Sequence, residues 1–363
     1  MAFTAKDVVA LREKTGVGMM DCKKALVEAD GDMDKAVDIL REKGLASAAK
    51  KSTRVAAEGT VATYNDGKAA ALVEVNCETD FVAKGEPFVN LSNQIAKTVV
   101  EANPADVDAL LKTKVADGEG TVEEAVQEVF LALRENMKVR RFARMEGHVL
   151  TYIHAGGTVG VMVNFDADDA VAAKPEFETM GKDVAMQIAA MSPEYLSKDD
   201  ISDDELAKMK SITIDSSLNK PDSLPKPILM SVIDEAINSK RCSDEDIAIL
   251  QEKKNDKFLF NFISKEAIAA LAEIAVEKKE EIVANKIFSG AVEGRLKKQI
   301  KEICLLEQAF VKDGDMTVDK YVSSVAKTLG GDIKIKEFVR FAKGEGIEKK
   351  QDDFAAEIAS MVK

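Results

Sequence analysis

The 363-residue chain has no tryptophan and only two histidines, His148 and His154. A histidine-rich metal site is thereby excluded. Any Ser-His-Asp or Cys-His machinery would have to rest on one of those two residues. Cysteine is equally sparse: Cys22, Cys77, Cys242 and Cys304 lie far apart, with no C-x-x-C pair. That spacing argues against zinc sites and a disulfide framework, and reads as reduced, mostly buried thiols of a cytosolic protein. No apolar run approaches the roughly 18–20 residues of a membrane span. The start, Met1-Ala2-Phe3-Thr4-Ala5-Lys6-Asp7, carries charge early and leads into no apolar signal core.

Positive charge is also in deficit. A formal net charge of −13 lacks the clustered Lys and Arg that direct nucleic-acid contact needs, and it disfavours an anionic membrane surface. A protein partner is the class least constrained by such a charge. Nucleotide signatures are missing too. Gly16-Val17-Gly18 follows no strand and has no third glycine, and no G-x-x-x-x-G-K-[ST] occurs. The expectation is therefore no cofactor and no metal. Acidic residues number 64, so pairs such as Asp203-Asp204 read as solvated surface.

What is present is a globular composition, 46% hydrophobic and 32% charged, in a chain too long for one ordinary core. Residues 1–45 predict three short helices, each closed by a glycine. Thr4 and Asp7 resemble a capping box with Gly16 as the C-terminal stop. A second helix over about Met19–Ala29 ends at Asp30-Gly31. Asp32 caps a third, with a stripe of Ala36, Val37, Ile39 and Leu40 before Gly44. So small a bundle suits docking rather than a deep active site. Residues 46–57 read as a basic, small-residue helical linker.

An internal repeat organises the next part. Glu58-Gly59-Thr60-Val61-Ala62-Thr63-Tyr64 matches Glu146-Gly147-His148-Val149-Leu150-Thr151-Tyr152, at an offset of 88. Val73-Glu74-Val75-Asn76 matches Val161-Met162-Val163-Asn164 at the same offset, and Asp80 then faces Asp168. Each copy continues into a helix that stops near Pro104 or Pro193. Period-2 strands followed by helices predict an α+β core of two related subdomains, 58–140 and 141–196 with 286–343. Residues 197–285 read as an inserted helical hairpin or antiparallel coiled coil. The stretch Ser197–Pro227 is polar and broken by Pro221, Pro225 and Pro227. Gly344-Glu345-Gly346 is a turn, and 344–363 forms a C-terminal module in which Asp352 and Asp353 cap a helix over Phe354–Val362.

The two copies diverge at one strand end. Thr79-Asp80-Phe81-Val82 in the first stands where the second has Ala167-Asp168-Asp169-Ala170. At that offset the twin of Phe81 is Asp169, so the fold does not require an aromatic there, and the first tip is singled out for use. His154 lies at a strand end before Ala155-Gly156-Gly157. One competing reading pairs His154 with Asp168 as acid and base of a hydrolase, although no nucleophile accompanies them. Another takes the chain as a docking scaffold without further activity.

Two segments carry a family resemblance. Leu11-Arg12-Glu13-Lys14-Thr15-Gly16-Val17-Gly18-Met19-Met20-Asp21-Cys22-Lys23-Lys24-Ala25-Leu26 and Glu74-Val75-Asn76-Cys77-Glu78-Thr79-Asp80-Phe81-Val82-Ala83-Lys84 resemble the two signatures of the bacterial elongation factor Ts family. Val139-Arg140-Arg141, Glu146-Gly147, Gly344-Glu345-Gly346-Ile347-Glu348 and Asp353-Phe354-Ala355-Ala356-Glu357 match in order. The resemblance implies a ubiquitin-associated-like N-terminal domain, a two-subdomain core, a helical hairpin and a C-terminal helix. It further implies a cytoplasmic guanine-nucleotide exchange factor without covalent chemistry, whose partner is elongation factor Tu bearing GDP. Asp80 and Phe81, flanked by Thr79 and Val82, inherit the role of entering that partner beside its magnesium site, and His154 inherits a contact. Met19, Met20, Asp21 and Lys23 inherit N-terminal docking. The region 197–285 is longer than the hairpin of the family's short bacterial form, and offers a surface for a homodimer.

Overall fold

Capping chemistry sets the N-terminal segment in the computed structural model, which describes residues 3–348. Helix α1 (Ala5–Thr15) opens with the Asp7 carboxylate accepting from both the N–H and the hydroxyl of Thr4, and closes on Gly16 at φ 66°. Helix α2 is Met19–Glu28, and α3 (Met33–Lys51) starts with Asp32 accepting from the N–H groups of Asp34 and Lys35. Leu11, Cys22, Leu26, Ala36 and Leu40 form the small core. One expectation needs correction: Gly44 does not end α3, which runs on through the first part of the expected linker. A Cβ at Gly44 would meet Leu131 Cδ2 at 2.2 Å, so this glycine serves close packing rather than a turn.

The first core layer follows in chain order: β1 (Glu58–Asn65), β2 (Ala69–Cys77), α4 (Asp80–Ala83), α5 (Glu86–Ala102), α6 (Val107–Lys112), α7 (Val122–Leu133) and β3 (Lys138–Glu146). The antiparallel sheet has order β1-β2-β3, with Glu58 opposite Cys77 and Val73 opposite Phe142. Every residue of β2 is buried. Alternation explains this: Ala71, Val73, Val75 and Cys77 join the core that includes Phe88 and Ile95 of α5, while Ala70 and Leu72 join a second cluster with Met162 and Phe341.

That second cluster lies between two sheets. The other sheet, order β4-β5-β8, is built from β4 (His148–His154), β5 (Val159–Ala167) and, from much later in the chain, β8 (Ile333–Ala342); α8 (Asp169–Ala172) and α9 (Pro175–Met191) follow β5. Both segments run strand, strand, single-turn helix and long helix, but the register between them changes at the strand-to-helix corner. Thr79 and Asp168 stand at the N-cap positions of α4 and α8, and the buried Phe88 and Phe177 occupy matching places on α5 and α9. The second copy therefore carries one extra residue between Asn164 and Asp169. Asp80 matches Asp169, and the twin of Phe81 is Ala170 rather than Asp169. An aromatic is still not required there.

Residues Pro193–Val318 form a separate compact unit, the other comprising the chain up to Ser192 and from Asp319 on. The unit holds α10 (Asp203–Leu218), α11 (Lys226–Ser239), α12 (Asp244–Lys253), α13 (Lys265–Glu277), α14 (Lys279–Ala284), α15 (Lys286–Ile303), and a small ribbon of β6 (Ala309–Phe310) and β7 (Asp313–Thr317). This corrects the expected hairpin over 197–285. Leu218, Val232, Leu250, Leu271, Phe288 and Val292 share one core, so α15 belongs to the bundle. Helix α10 also forms inside the stretch read as broken: Ser202 and Glu205 make a capping box, and all three prolines fall beyond Leu218. Tyr195 accepts from the Leu305 N–H at 2.9 Å and donates to Ile303 O at 3.1 Å, pinning the start of the unit to the end of α15.

Helix α16 (Val318–Leu329) and strand β8 (Ile333–Ala342) complete the description. The helix expected over Phe354–Val362 lies outside the described residues. Among the described residues no helix is long and apolar enough to cross a membrane.

Candidate functional site

The tip begins as a capping problem at the end of β2. Thr79 Oγ1 accepts from the Val82 N–H at 3.3 Å, which starts the single turn α4. Val82 and Ala83 are each 7% exposed and turn into the core. Two of four residues point inward, so Asp80 and Phe81 must point out. Phe81 is 85% exposed. The turn is held from outside as well. Thr79 donates its N–H and hydroxyl to the two oxygens of Glu135, at 2.9 and 2.7 Å, and the Cys77 thiol donates to Thr79 O at 3.2 Å. An aromatic ring in solvent on an anchored turn forgoes roughly 1.5–3 kcal/mol of burial in the free chain.

Asp80 pairs with Lys84 at 2.7 Å, and that hydrogen bond and charge hold its carboxyl below the usual carboxylate range. Lys343 acts in the same direction. Lys343 itself bonds Glu58 at 2.6 Å, and its N–H reaches Thr158 O at 2.9 Å. The α4 tip and the 343–346 turn therefore share one end of the core.

His154 belongs to that end too. It closes β4, and the Ala155-Gly156-Gly157 turn lies against β1, where Val61 N–H donates to Gly157 O at 2.8 Å. A Cβ on Gly157 would come within 1.8 Å of Thr60 Oγ1, and its φ is +95°. Glycine is required on both counts. Since Thr60 pairs with Val75 and Glu58 with Cys77, the turn bearing His154 sits at the same end of the two sheets as Thr79–Val82. His154 is exposed, its Nδ1 3.0 Å from the Tyr152 hydroxyl.

The acid–base pairing of His154 with Asp168 fails on geometry. His154 pairs with Val159, the first residue of β5, whereas Asp168 follows Ala167, its last. At about 3.3 Å per residue the two lie roughly 30 Å apart along the strand. Among the described residues no His, Cys, Asp and Glu group is arranged to hold a metal ion. Burial pushes the Cys77 thiol up to about 12, so it is no nucleophile.

The N-terminal candidates sit at the start of α2. Cys22, Ala25 and Leu26 face inward, leaving Met19 at 42% and Met20 at 65% exposure, with Lys23 also exposed. Asp21 instead pairs with Arg134 at 2.8 Å. Sequence reading missed the segment Arg134-Glu135-Asn136, which no motif marks. Arg134 caps α7 in the left-handed region at φ 61°, and Asn136 donates its N–H to Glu78 at 2.7 Å and its side-chain amide to Arg54 O at 2.8 Å.

The family model described as Elongation factor TS matches residues 78–345. The chain is 42% identical over 364 residues to the Elongation factor Ts of Clostridium perfringens (strain SM101 / Type A), covering 99% of each chain. It is 41% identical over 365 residues to that of Clostridium botulinum (strain Eklund 17B / Type B), again 99% of each, and 42% over 366 residues to that of Clostridium kluyveri. The matched span takes in the α4 tip, the His154 turn and the 343–345 turn, and the chain belongs to the elongation factor Ts family.

Proposed function

We propose that this chain is a guanine-nucleotide exchange factor that binds elongation factor Tu carrying GDP and promotes GDP release, with the α4 turn as its working tip. Family membership implies the partner, the exchange activity and a cytoplasmic place in translation elongation. The observation that carries the residue assignment is Phe81, 85% exposed on a turn whose flanking residues are buried or hydrogen-bonded.

A translational GTPase holds its nucleotide through a nest of backbone N–H groups, a lysine and a Mg²⁺ bridging phosphate oxygens. A factor that expels GDP must bind the nucleotide-free conformation more tightly, and the coupling is reciprocal, so nucleotide also expels the factor. Burial of Phe81 in a pocket that opens only when the partner's magnesium-side elements separate supplies roughly 1.5–3 kcal/mol of that difference, or about 10- to 150-fold in affinity. Asp80, kept ionised beside Lys84, places negative charge next to the metal and phosphates. His154 adds a contact from the neighbouring turn. Met19, Met20 and Lys23 form the N-terminal docking face, while Asp21 braces that face through Arg134. Neither Asp80 nor Phe81 forms a covalent bond.

The test is release of a fluorescent GDP from elongation factor Tu in stopped flow. Substoichiometric amounts of the chain are expected to accelerate release with multiple turnovers. Co-elution of the two proteins without acceleration would instead establish a docking scaffold.

A further inference from the structure

We propose that Glu135 is a positioning residue for the exchange tip, and that the segment Arg134-Glu135-Asn136 ties the tip to the N-terminal domain; this rests on the reading of Phe81 above. Three successive side chains reach three different parts of the chain. The Arg134 guanidinium bonds Asp21 of α2 at 2.8 Å, and its carbonyl accepts from Lys51 at the end of α3. The Glu135 carboxylate takes both donors of Thr79, at 2.9 and 2.7 Å. Asn136 holds Glu78, the residue before Thr79, and the backbone oxygens of Ser52 and Arg54.

The left-handed residue makes this fan possible. Helix α7 ends with the Arg134 N–H on Phe130 O at 2.7 Å, and the positive φ of Arg134 turns the chain out of the helix. Left and right neighbours then face different segments. Thr79 is the point that matters for the tip, because its hydroxyl caps α4 and its carbonyl is held by Cys77. A bidentate, charge-assisted grip on Thr79 fixes the turn that carries Phe81, whose own side chain is exposed. A pre-set turn loses less conformational freedom when Phe81 enters its pocket. Glu135 therefore acts on exchange through Thr79 and Phe81, without touching the nucleotide.

The experiment is GDP release from elongation factor Tu as a function of full-chain concentration, comparing wild type, Glu135→Ala, Glu135→Gln, Phe81→Ala and the double variant Phe81→Ala/Glu135→Ala. Loss of the charge-assisted bonds is expected to lower the plateau rate of Glu135→Ala about tenfold. Its half-saturating concentration should move less than about twofold, because the other docking surfaces are unchanged. Glu135→Gln keeps an acceptor for the Thr79 N–H and should recover the plateau to within about threefold. With Phe81 already removed, Glu135→Ala should cost nothing further, since a positioning residue has nothing left to position. A wild-type plateau in Glu135→Ala, or the same tenfold loss in the Phe81→Ala background, overturns the inference. A wild-type plateau in Phe81→Ala overturns the reading of the tip and this inference with it. A slow Phe81→Ala beside a fast Glu135→Ala overturns this inference alone.

Discussion

Glu74 is completely buried, on the face of β2 turned toward the second sheet, and its two oxygens take four partners. Arg140 Nη1 lies 3.0 Å from Oε1 and Arg141 Nε 2.6 Å from Oε2; Asn76 Nδ2 and the Gly344 N–H add bonds of 3.1 and 2.7 Å to Oε1. The matching position in the second copy is Met162, so the fold accepts an apolar residue there when no arginines face it. Consider Glu74→Gln, which keeps the shape and removes the charge. Stripping one partner from a buried ion pair costs ~3–5 kcal/mol. Arg140 and Arg141 retain 25% and 31% side-chain exposure, so water replaces part of the loss, and the amide oxygen keeps the Gly344 bond. We expect ~2–3 kcal/mol, or roughly 4–12 °C in melting temperature for a unit of this size. Acidity supplies a second readout. Burial is the largest influence and opposes ionisation, but the donors from Gly344, Asn76, Arg140 and Arg141 together outweigh it and hold the carboxyl below the ordinary value of 4.5. A depressed folded value means stability that is present above about 4.5 and is lost as pH falls through the folded value. The gap between wild type and Glu74→Gln should therefore be full at pH 7 and narrow as pH falls below 4.5 through the depressed folded value. Melting followed by near-ultraviolet circular dichroism across that range checks both. A variant melting within about 2 °C of wild type at pH 7, or a gap that widens in acid, refutes the reasoning.

For His154→Ala we expect a loss of about two- to fivefold in GDP release, the scale of one neutral hydrogen bond, with unchanged melting because the side chain is exposed; an unchanged release rate removes His154 from the interface. In the helical unit, Asp246 is 6% exposed and accepts from the Ser243 hydroxyl and from the N–H and hydroxyl of Ser264, at 2.7, 2.8 and 2.7 Å. Asp246→Ala should cost ~2 kcal/mol, read as faster amide hydrogen exchange in α12 and α13, and exchange there at the wild-type rate would show that the three bonds contribute little.

Local signals carried most of the elements into view. Thr4 with Asp7, Asp32 and the glycine after Thr15 announce helix ends because their chemistry acts within four residues. Non-local contacts decided the rest. Gly44 looks like a stop in sequence and is a packing contact with Leu131, almost ninety positions away. The one-residue insertion after Asn164 is invisible to an offset of 88 and shows only when Thr79 and Asp168 are seen to precede equivalent turns. Phe288 and Val292 carry no sign of which core they join. Within the proposed site, Asp80, Phe81 and His154 carry a signal in the sequence, as a divergent repeat tip, a strand end and a family signature. Glu135 was not, since its importance lies in meeting Thr79 across the fold. The pairing of His154 with Asp168 failed for the converse reason: β5 separates its two ends by its own length.

The central claim is that Phe81 is a wedge presented by an anchored turn, and Phe81→Ala tests it most directly. The measurement is the plateau rate of fluorescent GDP release from elongation factor Tu, with melting of the variant recorded alongside. A ring that is 85% exposed in the free chain contributes little to folding, so melting should not change. Loss of roughly 1.5–3 kcal/mol of burial in the partner should slow release by about tenfold or more. Release at the wild-type rate by a fully folded Phe81→Ala variant would contradict the account.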